Sequence, residues 1–204
     1  MQKGNYKMFS SKEKYLFYCL EKVGEEKDMS GKLYGKTAEE ILSMCGQIEA
    51  VPVDVKTILE KLEISALPYD FSDVEENLPS RYKGLSILGA MISSKENSAI
   101  LYNAKDKRDS HRTRFTIAHE IAHACLHGSN HHIEFRIDGD LDEHEIAANT
   151  FAGELLIPEK TLRSIIKQLL VPTVASLADI FDVSINVMRE RINHLNLEDQ
   201  VVIA

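Results

Sequence analysis

The chain is predicted to fold as an α+β protein with a small mixed sheet, on two observations. Three short strand-like runs, at 64–70, 85–93 and 98–103, come ahead of one long helical segment at 110–127, and the apolar spacing beyond that segment is helical almost to the end. With 204 residues, 44% of them hydrophobic, the chain can bury a proper core.

Each element has a local reason. Residues 10–26 read as a helix, with Ser10 as cap, Glu13 three residues on as in a capping box, and Leu16, Leu20 and Val23 on one stripe. Tyr15, Phe17 and Tyr18 beside that stripe are expected in a core. A Gly-rich hinge at 31–35 leads to a second helix over 37–48, carrying Ile41, Leu42, Met44 and Cys45, and a third covers 53–62. The last two strand runs are joined by the polar turn 94–97. The long helix starts at a cap, Asp109 or Ser110, presents Phe115, Ile117, Ala118, Ile121, Ala122, Cys125 and Leu126 as its apolar face, and stops near Gly128. Residues 128–141 then read as a loop long enough to reverse the chain. A second helical segment begins near Glu145 and ends before Pro158. Helices at 158–170, 173–181 and 184–195 close the chain. The last two have the spacing of a helix-turn-helix, with Arg189 and Arg191 adding positive charge, and are read first as core helices.

The long helix carries the chemistry. His119 and His123 stand four residues apart, about 40° around a helix, so both rings can hold one ion, while Glu120 points to one side, where it can take a proton from water. A catalytic zinc takes three protein ligands and leaves one position open. Glu145 is the best third ligand, with Asp142, Glu143 and His144 as substitutes if the helix register slips. Asn149, one turn beyond Glu145, can orient a ligand imidazole from behind, although helix packing would explain it nearly as well. His127 is in phase with the two histidines but too far round for the same ion, and is read as supporting or structural. His131 and His132 are poor ligands by spacing. The oxyanion stabiliser is open among Tyr82, Tyr102, His111 and His127.

The string Arg114-Phe115-Thr116-Ile117-Ala118-His119-Glu120, then His123, then Leu126-His127, resembles the ImmA/IrrE metallopeptidases. So does the later set Glu145, Ala148, Asn149, Phe151, Ala152, Leu155, Leu156 and Pro158, and the resemblance covers roughly residues 50–195. It implies a zincin-like fold, with a catalytic core at 49–160 and a C-terminal helical region at 161–204; residues 1–48, which the resemblance does not cover, are expected to form a helical extension of unknown role. It further implies zinc (Zn2+) held by His119, His123 and Glu145, with Glu120 as general base and then proton donor in peptide hydrolysis by a zinc-activated water. The substrate implied is a helix-turn-helix repressor, cut to release genes of a mobile element or a stress response, as an anti-repressor does.

Composition narrows the alternatives. A net charge of −8 argues against nucleic-acid binding by the whole surface and favours a protein substrate. Cys19, Cys45 and Cys125, odd in number and widely spaced, suggest neither a disulfide framework nor a cysteine zinc site, which fits a reducing compartment. The first residues lack the apolar core of a signal peptide and no run of 18 apolar residues occurs, so a cytoplasmic protein without membrane contact is expected. Two other classes stay open: a non-catalytic zinc-containing module that inactivates a regulatory partner, and a DNA-binding regulator using residues 177–195.

Overall fold

The structure is a computed structural model that describes residues 33–76, 82–93, 98–105, 110–127, 133–137 and 143–202. The helix expected at 10–26 and the turn expected at 94–97 lie outside them.

Local chemistry sets the helix starts. In α1 (Ala38–Met44) the Thr37 hydroxyl accepts from the Glu40 amide and the Glu40 carboxylate accepts from the Thr37 amide, so two of the end's four orphan donors are satisfied. Asp54 caps α2 (Val55–Lys61) by accepting from the Lys56 amide. After β1 (Ser65–Tyr69) comes a short helix, α3 (Ser72–Glu75), which the sequence pattern did not reveal. β2 (Ile87–Ser93) and β3 (Ser98–Asn103) follow, then α4 (Ser110–Leu126).

The segment expected to be a loop at 128–141 contains a strand, β4 (Ile133–Ile137). Its sequence alternates Ile133, Phe135 and Ile137 with Glu134 and Arg136, a period of two that is stable only once paired. The partner is β2, antiparallel, in a mixed sheet of order β1-β3-β2-β4 whose β1 and β3 run parallel.

Along the sheet, parity sorts side chains. Met91 and Ile100 face the helices, while Ala90, Ile92, Ala99 and Leu101 join Phe71 and Ile87 in a smaller cluster on the far face. Gly89 shares the parity of Met91 and lies under α4. A Cβ there would stand 2.5 Å from Thr116 Cγ2, so glycine lets the helix approach the strand more closely than any other residue could.

The remaining helices are α5 (Glu143–Leu156), α6 (Glu159–Gln168), α7 (Val174–Phe181) and α8 (Ile185–His194). Thr173 and Ser184 cap the last two, and Asp182, in the left-handed conformation, ends α7. Among the described residues one apolar core runs from Leu33 and Ile41 through Ile121, Ala152 and Leu155 to Leu177, Met188 and Ile192. Full burial of each large aliphatic group contributes about 1.5–3 kcal/mol. α7 and α8 thus bury their apolar faces in the same core as α4 and α5, and no helix among the described residues is long and apolar enough to cross a membrane.

Candidate metal centre

Ten consecutive residues of α4, Thr116 to Cys125, are buried. The helix is enclosed by the sheet on one side and α5 on the other, which is why its expected apolar stripe understates it: Ala124 is also buried, while Leu126 is 36% exposed. His119, Glu120 and His123 are buried with it, and polar groups held in such a place need partners.

α5 crosses α4 so that Glu145, in its first turn, meets both histidines. Glu145 Oε2 lies 3.1 Å from His119 Nε2, Glu145 Oε1 lies 3.2 Å from His123 Nε2, and the two Nε2 atoms are 2.9 Å apart. One turn on, Asn149 Oδ1 stands 3.0 Å from His119 Nδ1. A carbonyl oxygen only accepts, so that ring nitrogen carries the proton and donates it. His119 Nε2 is therefore the bare nitrogen, aimed at a carboxylate and at a second imidazole.

Electrostatics agree. Burial pushes the His119 pKa down to about 4, against the opposing effect of the Glu145 carboxylate that faces it and together with the nearby Arg136 and His123, so the ring is neutral at neutral pH. Burial also works against ionisation of Glu145, but the contacts of its two oxygens with the His119 and His123 rings outweigh it and hold the carboxyl well below the usual range. A bare nitrogen and an ionised carboxylate facing each other at 3.1 Å repel unless something positive lies between them. Ligands about 2.0–2.1 Å from one tetrahedral zinc stand roughly 3.3 Å apart, close to the three spacings found. The donor set therefore fits a zinc ion.

Among the described residues, His119, His123 and Glu145 form the cluster able to hold a metal. The substitutes for Glu145 are placed elsewhere: Glu143 is exposed, His144 turns to His127 with their Nδ1 atoms 3.2 Å apart, and Asp142 lies outside the described residues, as do His131 and His132. His127 also packs its ring on His123, centroids 5.4 Å apart, as a support beyond the ligands. Glu120 lies between α4 and β2, its Oε1 3.2 Å from where a Cβ on Gly89 would be.

Of the oxyanion candidates, His111 pairs with Asp182 at 3.0 Å and Tyr82 packs against the far-face cluster around Phe71, away from the ligands. Arg136 becomes legible only from the fold, since it lies in the 128–141 segment whose composition is that of a loop. Its Nη1 donates to Thr116 Oγ1 at 3.0 Å and its guanidinium lies 5.0 Å over the Phe115 ring. Arg191, one of the two cations counted toward a DNA surface, is instead buried, with Nε donating to the Ile157 carbonyl at 3.1 Å.

A mixed α+β fold whose central helix and the helix across it converge two imidazoles and a carboxylate is that of a zincin-like metallopeptidase. The family model for the IrrE N-terminal-like domain, Peptidase_M78, matches residues 84–193, more than half of the chain and all of the site. The chain belongs to that family. Comparison with curated proteins and with solved structures gives no match.

Proposed function

We propose that the chain is a zinc-dependent endopeptidase whose substrate is a protein, and that this substrate is a helix-turn-helix transcriptional repressor. The observation that carries the enzymatic reading is the convergence of His119 Nε2, His123 Nε2 and a Glu145 carboxylate held ionised, in a chain of a peptidase family. The repressor rests on the likeness of the two sequence signatures to the ImmA/IrrE enzymes.

His119, His123 and Glu145 would hold the zinc, which when bound polarises a scissile carbonyl and acidifies water. Asn149 fixes the His119 ring through Nδ1, so Nε2 is presented without rotation. Glu120, next to His119 in sequence and with Oε1 beside Gly89 of β2, would accept a proton on its carboxylate and return it to the departing amine. β4 lies at the sheet edge, where an extended peptide can pair with it and be held straight past the helix.

Glu120→Gln tests the reading. The variant should keep its zinc and lose cleavage of the cognate repressor by about a hundredfold or more. Cleavage at the wild-type rate would remove Glu120 as the base. Inactivation of the repressor by a variant that cannot cut it would favour the non-catalytic binding module.

A further inference from the structure

Two sides of α4 carry the proposed chemistry, and two different elements hold them. His119 and His123 face α5, where Glu145 and Asn149 meet them. Thr116 and Glu120, four residues apart, share another side of the helix, and Gly89 of β2 lies against both. We infer that Gly89 is a positioning residue for the Glu120 carboxylate: by carrying no side chain it sets how deeply α4 sits on β2, and so where the base stands relative to the metal ligands. The inference rests on the peptidase reading for the role of Glu120 as base, and on the packing alone for its placement.

A side chain at 89 is excluded on three sides. Its Cβ would stand 2.5 Å from Thr116 Cγ2, 3.0 Å from the Leu101 carbonyl oxygen of β3 and 3.2 Å from Glu120 Oε1. The first is far inside contact distance, and Thr116 is not free to turn its methyl group aside. Its Oγ1 accepts from Arg136 Nη1 at 3.0 Å, and a β-branched side chain with one branch held has the other fixed as well. Glu120 is fully buried, so its carboxylate has no solvent to swing into. A methyl group at 89 would therefore lift α4 from β2 at Thr116 and carry Glu120, one turn on, with it.

β2 itself changes register at this point. Against β4, Ile87 pairs with Ile137 but Gly89 pairs with Arg136, so Leu88 is an extra residue in a bulge. The bulge reverses the alternation of side chains. Ile87, which would otherwise face α4 as Gly89 and Met91 do, joins the far-face cluster, and Leu88 lines the cleft beside Phe115 and Thr116. What β2 presents beneath Thr116 and Glu120 is thus bare backbone. The metal ligands take no part in this contact, so the place of the base and the place of the ion are set separately on one helix.

The test compares the full chain with Gly89→Ala, Thr116→Ser and the double variant Gly89→Ala/Thr116→Ser, by crystal structure, by zinc affinity and by cleavage of the internally quenched peptide that the wild type cuts fastest from a random pool. In Gly89→Ala the Glu120 carboxylate should leave its place beside residue 89 while His119 and His123 stay on Glu145. Its kcat should fall about ten- to a hundredfold, with KM and zinc affinity unchanged. Thr116→Ser removes the methyl group and keeps the hydroxyl, so the double variant should regain part of the lost rate; it keeps the contact with Glu120 and should stay about threefold below Thr116→Ser. An unmoved carboxylate or an undiminished kcat in Gly89→Ala overturns the inference, as does a parallel loss of zinc affinity or no recovery in the double variant. Should Gly89→Ala fail to fold, the double variant read against Thr116→Ser decides, and equal kcat with an unmoved carboxylate overturns the inference. A wild-type chain that cuts no peptide removes the peptidase reading, and the crystal structures still decide the placement of Glu120.

Discussion

α5 has two polar seams, and they differ in kind. At its start, Glu145 and Asn149 meet the buried histidines of α4. At its end, the buried Arg191 of α8 donates to the Ile157 carbonyl, just past the last turn, and lies 3.5 Å from Glu154. The second seam is a donor meeting acceptors: a cation beside the negative end of a helix, satisfied within the protein. The first gathers two imidazole nitrogens and a carboxylate 2.9–3.2 Å from one another, a set of metal-ligand atoms rather than a cation with its acceptors. Burial and polarity are shared by both seams. Function is marked by the sign of the groups that converge.

The largest effect that can break this comparison is loss of the ion. His123→Ala and Glu145→Ala should each weaken zinc affinity by about a thousandfold or more, and with it the rise in melting temperature that zinc produces. Competition with a chromophoric chelator measures the affinity. Retention of wild-type affinity in either variant would mean that the first seam is not a metal centre.

Arg191→Ala should act oppositely. It removes the donor from a buried carbonyl and should cost about 2–3 kcal/mol in urea unfolding, with zinc affinity of the folded protein unchanged. A parallel fall in zinc affinity would show that the two seams are one coupled unit.

Asn149→Ala probes the join between packing and chemistry. The ring of His119 stays in place between α4 and α5 but loses the acceptor at Nδ1, so metal affinity should fall about ten- to a hundredfold with little change in stability. An unchanged affinity would make Asn149 a packing residue, the other role its position in the sequence allowed.

What was legible in the sequence follows from how local each cause is. The His119–His123 spacing and the Glu145–Asn149 spacing are properties of one helix each, and the caps at Thr37, Asp54, Thr173 and Ser184 act within three residues. Their meeting is not local, and was legible only because two signatures occur together in one family. β4 was missed because five residues of alternating character, preceded by His131 and His132, carry too little signal until β2 pairs with them. Arg136 was lost with it. Gly89 was unreadable for a related reason: whether it faces α4 depends on the parity of β2, and its purpose only shows against Thr116 and Glu120.

The smallest and most diagnostic effect is the pH dependence of the zinc-free protein. His119 has a folded pKa of about 4, against 6.5 for an unperturbed imidazole, because burial disfavours its charged form. As pH falls below about 6.5 the unfolded chain takes up this proton and the folded chain does not, so stability is lost until the folded pKa is reached. The slope approaches 1.4 kcal/mol per pH unit, roughly, for one such group. Glu145, whose folded pKa is depressed, adds to the loss below about pH 4.5, since its stabilising contribution exists only while the carboxyl is ionised. Arg191 adds nothing, because a guanidinium stays charged throughout. Urea midpoints at pH 7 and pH 5 should therefore differ more for the zinc-free wild type than for His119→Asn, whereas Arg191→Ala should keep the wild-type difference. Equal pH sensitivity in wild type and His119→Asn would mean that the ring is protonated or solvated in the fold, and that His119 Nε2 is not a bare ligand nitrogen.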